Sequence, residues 1–215
     1  MLAKVPAKGK LRGRMGAMPP TAADYEWFTQ SEDREIVENY CFTFMKGLSA
    51  EELVDRIGGT IEQELRGFEQ IWEASMEAEA PVLAITSIGE WVMMVEWHTL
   101  IGGSKSTAVP LSANAVLISH FKSVDLDTSF SYIVDRDLQL SFSPTNPTMR
   151  NGSRVDDLTS AMDSAGFSLS DESEAAMAVY SEGAAFALAE LLSGVHLSAE
   201  LLDNSTFKYV LVPDA

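Results

Sequence analysis

The chain contains 215 residues, and its 15 basic and 32 acidic side chains give a formal net charge of −17 at pH 7. Its shares of hydrophobic residues, 46%, and of charged residues, 22%, are those of a soluble globular domain and exclude a disordered or fibrous chain. Because Cys41 is the single cysteine, an intramolecular disulfide and a multi-cysteine zinc or iron–sulfur site are also excluded, and we expect a reducing, cytoplasmic environment.

The first 23 residues differ in charge from the rest of the chain. Their charged side chains are all basic: Lys4, Lys8, Lys10, Arg12 and Arg14. Glycine and proline interrupt this segment and it has no periodic apolar face, so we predict a flexible basic tail over residues 1–23 and a single acidic domain over residues 24–215. We expect the tail to be dispensable for folding. Apolar runs are too short for a secretory signal or a spanning helix, so we expect neither export nor a membrane partner.

The body of the chain is strongly acidic, with ten bases against 32 acids after the tail. Such a surface repels phosphate backbones, because nucleic-acid binding needs clustered lysine and arginine side chains. We therefore expect no nucleic acid on the folded body. Binding of nucleic acid by the basic tail stays open.

The N-terminal part of the body contains one strand signal and two helix signals. Residues 40–45 are an apolar run typical of a buried strand. Ser49 and Glu52 have the spacing of a capping box, and Gly58 and Gly59 mark the end of that short helix. A second helix is predicted from residue 60 onwards by apolar residues at helical spacing, which are Ile61, Leu65, Phe68, Trp72 and Met76.

In the middle of the chain the apolar residues alternate, which indicates a sheet. We predict antiparallel strands over residues 82–85, 91–97, 114–121, 128–134 and 138–142. In the second of these, Trp91 shares one face with the apolar residues at alternate positions. Glu96 and His98 lie on the other face, which we expect to be partly exposed to solvent.

The last two predicted strands form a hairpin, and the turn between them sets the register. A three-residue loop over residues 135–137 pairs the flanking apolar residues and places all six on one face. The predicted pairs are Val134 with Leu138, Tyr132 with Leu140, and Phe130 with Phe142.

Helix signals return after the sheet. Pro144 and Pro147 are predicted to close the sheet region. Ser153 is predicted to cap a helix that has two acidic residues in its first turn and ends at Gly166.

The C-terminal segments complete the expected fold. An alanine-rich helix opens at Ser170 or Asp171, a short helix covers residues 198–202, and a strand, buried on both faces, covers residues 207–212. Together the segments predict an α+β fold in which an antiparallel sheet of at least four strands packs against helices on one side.

Several segments, in order, resemble one known family. Residues 41–53, with the sequence CFTFMKGLSAEEL, are similar to the opening of an actinobacterial family known only as a domain of unknown function. Similar segments follow at residues 89–91, 95–96, 130–132, 150–152 and 187–195, and the resemblance covers residues 40–212. It implies a single-domain cytoplasmic protein of an actinomycete or its phage. It implies no activity.

Side chains that could bind a metal or carry catalysis are few. The three histidines are too scattered for a local metal-binding motif, and we expect no metal and no cofactor. A cluster of Glu96, His98 and His120 on neighbouring strands is the geometric alternative. The sequence GGSKST at residues 102–107 lacks the glycine that precedes the lysine of a phosphate-binding loop. Cys41 lies in an apolar strand, where a thiol is normally inert.

Arg150 is one of the few bases outside the tail, and it stands between the end of the sheet and a helix. It either pairs with a nearby acid to hold its loop or recognises an anion or a partner. We therefore select Glu96, His98 and Arg150 as candidate binding residues, which a ligand site would require to converge in one pocket.

The sequence favours a non-enzymatic protein–protein interaction module, immunity-like or regulatory in kind, whose acidic surface meets a partner with a basic surface. One alternative is a small-ligand-binding protein or an enzyme with its site around Glu96, His98 and Arg150. A weaker alternative is a nucleic-acid mimic that competes for a DNA-binding protein.

Overall fold

The structure is a computed structural model that describes residues 18–30, 37–169 and 181–213. In these residues nine strands form one sheet. The strands are β1 Tyr40–Lys46, β2 Thr60–Arg66, β3 Val82–Ile88, β4 Trp91–Glu96, β5 Val116–Lys122, β6 Thr128–Val134, β7 Asp137–Ser143, β8 Asn146–Asn151 and β9 Thr206–Leu211. Their order across the sheet is β2, β9, β3, β4, β1, β5, β6, β7, β8, and all neighbours are antiparallel. The predicted α+β class with an antiparallel sheet is confirmed.

Helices lie before, between and after the strands. They are α1 Glu26–Thr29, which follows a 3-10 turn at Ala22–Tyr25, α2 Ala50–Arg56, α3 Phe68–Met76, α4 Lys105–Leu111, α5 Val155–Ala165, α6 Ser181–Ser193 and α7 Ala199–Asn204. The predicted opening of the alanine-rich helix at Ser170 or Asp171 lies outside the described residues, as do the five bases of the predicted tail.

The sheet separates two apolar layers, because its central strands are buried on both faces. In β1, Phe42 and Phe44 pack into the larger layer, whereas Met45 packs into the smaller one. We call the corresponding sides of the sheet the main face and the second face. Helices α3, α5, α6 and α7 contribute to the layer on the main face, and the short helices α2 and α4 cover the second face. Helices therefore lie on both sides of the sheet and not on one side as predicted, because the central strands are apolar on both faces.

Local signals predicted several elements correctly. Residues 40–45 lie in the buried strand β1. The capping box of α2 is formed, because the Ser49 hydroxyl accepts a hydrogen bond from the Glu52 backbone N–H at 3.1 Å and the Glu52 carboxylate accepts one from the Ser49 N–H at 2.7 Å. Ser198 caps α7 in a similar way, accepting from the Leu201 N–H at 3.2 Å.

The predicted helix from residue 60 is wrong over its first half. Residues 60–66 form the edge strand β2, which pairs with β9, and helix α3 begins only at Phe68. Gly67 separates the two elements with a φ of 86°, and its N–H donates to the Ser205 carbonyl at 3.0 Å. The helical spacing of Ile61 and Leu65 is outweighed by pairing with a strand that lies far along the chain, which local periodicity does not reveal.

The predicted register of the β6–β7 hairpin is confirmed for the pairs made by Phe130 and Tyr132. Nearer the turn it is wrong, since Leu138 pairs with Ile133 rather than with Val134, and the register shifts after Tyr132. Leu138 and Ile133 therefore pack on the second face, whereas Phe130 packs on the main face.

Turn geometry explains this shift. Asp135 and Arg136 have positive φ angles of 47° and 69°, which form a two-residue turn whose twist suits a hairpin. The Asp135 carboxylate accepts a hydrogen bond from the Asn114 N–H at 2.8 Å, and the Arg136 N–H donates to the Ser112 hydroxyl at 3.0 Å. Asp137, which we expected in the loop, is the first residue of β7.

The segment after β7 contains a strand that the sequence did not predict. β8 pairs with β7 and forms one edge of the sheet. Pro147 is tolerated there because an edge strand has a neighbour on one side only, so the N–H that proline lacks is not required for pairing. Ser153 does not cap α5; its hydroxyl donates to the Asp137 carboxylate at 2.8 Å, and Arg154 occupies the N-cap position. Gly166 ends the helix as predicted, with a φ of 109°.

The first described segment packs on α6. Tyr25 stacks on Phe186, with ring centroids 5.5 Å apart, and its hydroxyl donates to the Glu190 carboxylate at 2.6 Å. Gly183 permits the close approach, because a Cβ at this position would lie 2.5 Å from the carbonyl oxygen of Ala22.

Candidate functional site

Glu96 is the last residue of β4 and is fully buried on the second face. Its Oε2 accepts hydrogen bonds from the Thr99 hydroxyl at 2.6 Å and the Ile101 N–H at 2.7 Å, and its Oε1 accepts one from the Gly102 N–H at 2.8 Å. The expected exposure of this face to solvent is wrong, because the chain after β4 turns back over the carboxylate. Glu96 holds that loop in place.

Cys41 lies beside Glu96 at the paired position of β1, and its Sγ is 3.6 Å from the Thr43 hydroxyl. Burial raises the pKa of the Glu96 carboxyl, although its hydrogen bonds act in the opposite direction. Burial and the neighbouring Glu96 carboxylate raise the pKa of the Cys41 thiol. A thiol that stays protonated is a poor nucleophile, so this pair has the properties of a structural anchor.

The Gly102–Gly103 pair is explained by packing against the same cluster. A Cβ at Gly102 would overlap the Thr43 hydroxyl, and one at Gly103 would lie 3.2 Å from Phe121. The backbone therefore needs glycine in order to approach β1 and β5.

The two histidines of the hypothetical cluster do not lie beside Glu96. His98 follows β4 and is exposed, whereas His120 is buried in β5 on the main face. Glu96 points to the second face, so the sheet itself lies between the Glu96 carboxylate and the His120 ring. Within the described residues, no group of three or more histidine, cysteine, aspartate or glutamate side chains is placed to hold a metal ion.

Arg150 lies on the edge strand β8 and faces the main layer through its pairing with Phe142. Its Nη1 is 3.4 Å and 3.5 Å from the carbonyl oxygens of Pro147 and Thr148, and its buried Nε has no hydrogen-bond partner. No ion pair joins it to a carboxylate in the part of the chain that the structure describes.

The three candidate binding residues do not converge. Four strands separate β4 from β8, and at about 4.8 Å between neighbouring strands this places Arg150 roughly 24 Å from Glu96. The two side chains also point to opposite faces, and the exposed His98 joins neither.

A buried polar cluster under α6 was not predicted. The His120 ring lies between Tyr40 and Phe186, with centroid distances of 5.3 Å and 4.8 Å. Neither ring nitrogen of His120 nor the Tyr40 hydroxyl has a hydrogen-bond partner. Beside them, Lys122 and Glu182 form an ion pair at 2.8 Å. Polar residues at alternate positions of a strand that is otherwise buried are the sequence signal for this cluster.

The His120 imidazole is held neutral by its surroundings. Burial, assisted by the positive charge of Lys122, lowers the pKa of His120 to about 3. A neutral, unpaired imidazole packed between aromatic rings reduces stability and lacks the proton-transfer partner that acid–base catalysis requires.

The β2 edge of the sheet, on the side opposite β8, is strongly acidic. Residues 60–80 contain six glutamates and one arginine, and all seven are exposed: Glu62, Glu64, Arg66, Glu69, Glu73, Glu77 and Glu79. They belong to the edge strand β2, to helix α3 and to the residues that follow it. We call the surface formed by β2 and α3 the acidic edge.

An open groove runs along the acidic edge between β2 and α3. Leu65, Trp72 and Met76 supply its apolar lining, and Glu73 and Glu77 stand among the polar residues beside them. Met76 is 49% exposed, although it is a large apolar side chain. Charged and apolar groups thus alternate over a short distance, as they do on many protein-binding surfaces.

Lys208 of β9 lies beside β2 on the second face of the sheet, where it pairs with Glu64. Its Nζ is 3.1 Å from the Glu51 carboxylate and 3.3 Å from the Glu64 carboxylate. Both carboxylates are mostly exposed, so these ion pairs add little stability. Of the two, Glu64 belongs to the acidic edge and Glu51 to α2.

A comparison with protein families gives one clear match. The model of a family described as "Family of unknown function (DUF6461)" matches residues 18–215. The chain belongs to this family. The match includes the whole expected resemblance over residues 40–212 and extends it to the segment that packs on α6. No curated protein and no solved structure was found to match this DUF6461 chain.

The described helices of this DUF6461 protein are short. Over residues 18–30, 37–169 and 181–213, none is both long enough and apolar enough to cross a membrane. The described part of α6, Ser181–Ser193, covers 13 residues.

Proposed function

We propose that this DUF6461 protein is a non-enzymatic protein-interaction module that binds a basic partner through its acidic edge. The observation that carries the proposal is the concentration of six exposed glutamates against one arginine in residues 60–80. A surface of one sign attracts and orients a partner of the opposite sign. The exposed apolar side chains of Ile61 and Met76 add contact area that becomes buried on binding.

The placement of the other candidate residues also favours binding over catalysis. Glu96 uses both carboxylate oxygens to hold a loop, and His120 is enclosed by aromatic rings. A small-ligand site or an enzyme active site would need such groups to open into one cavity with Arg150.

The test compares two variants of equal net charge. In the first, which we call the α3 glutamine variant, glutamine replaces Glu69 and Glu73 of α3 and Glu77 at its C-cap. In the matched control, asparagine replaces three exposed acids beside the other half of the sheet, which are Asp125, Asp156 and Asp163. Each protein is immobilised, and partners are captured from a lysate of the native organism and dissociated in a salt series.

The expected result is a basic protein that the wild type and the control capture equally, that the α3 variant loses, and whose association slows steeply with salt. Equal loss from both variants, or binding that does not respond to salt, would contradict the proposal. A captured DNA-binding protein whose DNA competes with this chain would favour the nucleic-acid mimic. Turnover of a small molecule that is abolished by Glu96→Ala or His98→Ala would favour the enzyme.

We also propose that the protein acts in the cytoplasm of an actinobacterium, in an immunity-like or regulatory role. The buried, unpaired thiol of Cys41 and the absence of any other cysteine support a reducing compartment. Cell fractionation with an antibody against the chain tests this assignment, and recovery from the culture medium would contradict it.

A further inference from the structure

We infer that the partner docks on β2 itself, as an additional strand: β2 accepts an extended, basic segment of the partner along its open edge. The inference rests on the proposed function and adds the mode of binding and the local structure of the partner. β2 is the outermost strand on its side of the sheet, and β9 is its neighbour on the inner side.

The backbone of β2 offers hydrogen-bonding groups along this edge. In an antiparallel pair, residues alternate between those whose N–H and C=O face the partner strand and those whose groups face away. The Gly67 N–H donates to Ser205, which fixes the phase: Leu65, two residues before it, faces β9. The N–H and C=O groups of Glu64 and Arg66 therefore point away from β9, towards the open edge.

The side chains beside this edge suit alternating residues in an added strand. On the main face, the groove of Leu65, Trp72 and Met76 would receive an apolar side chain of the partner, with Glu73 and Glu77 within reach of the next basic one. On the second face, a basic side chain of the partner would contact the Glu64 carboxylate. Lys208 already forms an ion pair with this carboxylate, with its Nζ 3.3 Å from Oε1.

Charge selects the partner, and a comparison with the other edge shows why β2 is the docking edge. β8 contains Pro147 and no acidic residue, and proline on an edge strand blocks pairing with another chain. β2 contains no proline, and its own residues include Glu62 and Glu64. Its edge is therefore open to pairing, and its charge favours a basic extended segment over neutral ones.

The experiment uses the full chain and a fluorescent eight-residue peptide of alternating lysine and valine as the probe. Affinity is measured by fluorescence anisotropy in about 150 mM salt, where screening limits non-specific attraction. Arg66→Pro removes one outward N–H, whereas the matched control Arg66→Ala removes the same charge and keeps the N–H. We expect Arg66→Pro to weaken binding at least tenfold, and Arg66→Ala to bind as well as or better than the wild type.

A second measurement does not depend on how well Arg66→Pro folds. Two further peptides carry N-methyl groups on all their valine amides or on all their lysine amides, and each set blocks one edge of the extended peptide. Strand pairing predicts that wild-type protein binds one methylated peptide at least tenfold more weakly than the other. Met76→Ser, at a half-exposed position, should weaken binding of the unmethylated peptide several-fold by removing part of the groove.

The outcomes separate this inference from the proposed function. Salt-sensitive binding that is lost in the α3 glutamine variant but is equal for both methylated peptides would overturn strand addition and leave the acidic edge as a binding surface. Equal affinities of Arg66→Pro and Arg66→Ala would overturn it in the same way. No measurable binding of the unmethylated peptide would overturn the inference, while capture of a basic folded protein would still support the proposed function.

Discussion

Both oxygens of the Glu96 carboxylate have donors, because the chain after β4 turns back and directs one hydroxyl and two backbone N–H groups at them. A buried carboxylate with this many donors orders the loop that contributes them, and the loop in turn covers the Cys41 side of β1. The His120 ring is the opposite case, since it is equally buried and its two nitrogens have no partner. The two residues should therefore respond to substitution in opposite directions.

Glu96→Ala should lower the free energy of unfolding by about 3 kcal/mol, because three buried or half-buried donors lose their acceptor. Urea denaturation at neutral pH measures the change, and Asp163→Ala on the exposed face of α5 is the control, with an expected change below about 0.5 kcal/mol. Binding of the basic peptide should be unchanged by Glu96→Ala where the protein remains folded. A stability equal to that of the wild type would show that the loop does not depend on this carboxylate.

His120→Leu should raise the free energy of unfolding by about 1 kcal/mol at pH 7, because an apolar side chain of similar volume replaces two unpaired polar atoms. The pKa of His120 is about 3 in the folded chain and near 6.5 in the unfolded chain. The unfolded state therefore binds the proton first, and the wild type loses stability as the pH falls from 6.5 towards 3.

The leucine variant lacks this loss. Its advantage over the wild type should grow by about 2 kcal/mol between pH 7 and pH 5, measured by urea denaturation at both values. A difference that stays constant with pH would mean that His120 can be protonated in the folded protein.

At the scale of elements, the first described segment, residues 18–30, packs on α6 through a close backbone approach. The carbonyl oxygen of Ala22 approaches α6 where Gly183 leaves space for it. Tyr25 and His196 both contact the Glu190 carboxylate, which ties this segment to the end of the helix. The segment is short, but Tyr25 and Phe28 are buried in the aromatic layer on the main face.

Gly183→Ala should lower the free energy of unfolding by about 2 kcal/mol, because the new methyl group would meet the Ala22 carbonyl. In a chain that lacks residues 1–23 the same substitution should be neutral or stabilising by up to about 1 kcal/mol, since alanine is the better helix former. Deletion of residues 1–20 alone should change the free energy of unfolding by about 1 kcal/mol or less. Thermal unfolding of the five proteins, which are the wild type, the two deletions and Gly183→Ala in the wild type and in the chain lacking residues 1–23, measures these values. An equal effect of Gly183→Ala in both backgrounds would contradict the proposed contact.

The elements that the sequence predicted are those whose signals are local. The capping box at Ser49 and the glycine at residue 166 act within one or two helical turns, and both ends were found. The edge strands β2 and β8 were missed. In β2, pairing with the distant strand β9 outweighs a helical spacing of apolar residues. In β8, pairing with β7 across a bulge occurs despite a proline.

The candidate site was missed for the same reason. The excess of acids was visible in the sequence, but the acidic edge requires residues 60–66 to be a strand. If residues 60–66 were helical, their backbone groups would be hydrogen-bonded within the helix, and no open strand edge would lie beside Glu64. The binding residues selected from the sequence were chosen by residue type, and the sheet order that separates Glu96 from Arg150 is not encoded near either of them.

At the scale of the whole molecule, a net charge of −17 on 215 residues means that exposed carboxylates repel one another and lower the stability of the fold. Added salt should therefore stabilise the fold. We expect the thermal midpoint to rise by a few degrees between low salt and about 0.5 M sodium chloride, because screening weakens repulsion between exposed charges.

The α3 glutamine variant carries three fewer charges and is the control for this effect. Its midpoint in low salt should be higher than that of the wild type, and its response to salt should be smaller. A midpoint that falls with salt would show that attractive ion pairs, such as those of Lys208, outweigh the repulsion.

The position of β9 between β2 and β3 has a consequence for the order of events during synthesis. Glu64 and Lys208 face each other across β2 and β9 but are 144 positions apart in the chain. β2 leaves the ribosome early, and β9, its neighbour in the described sheet, follows only at residues 206–211. The surface that we propose for the partner is thus assembled only after residues 206–211 have been synthesised, so a chain interrupted before residue 206 could fold around β1, β4 and β5 and still be unable to bind.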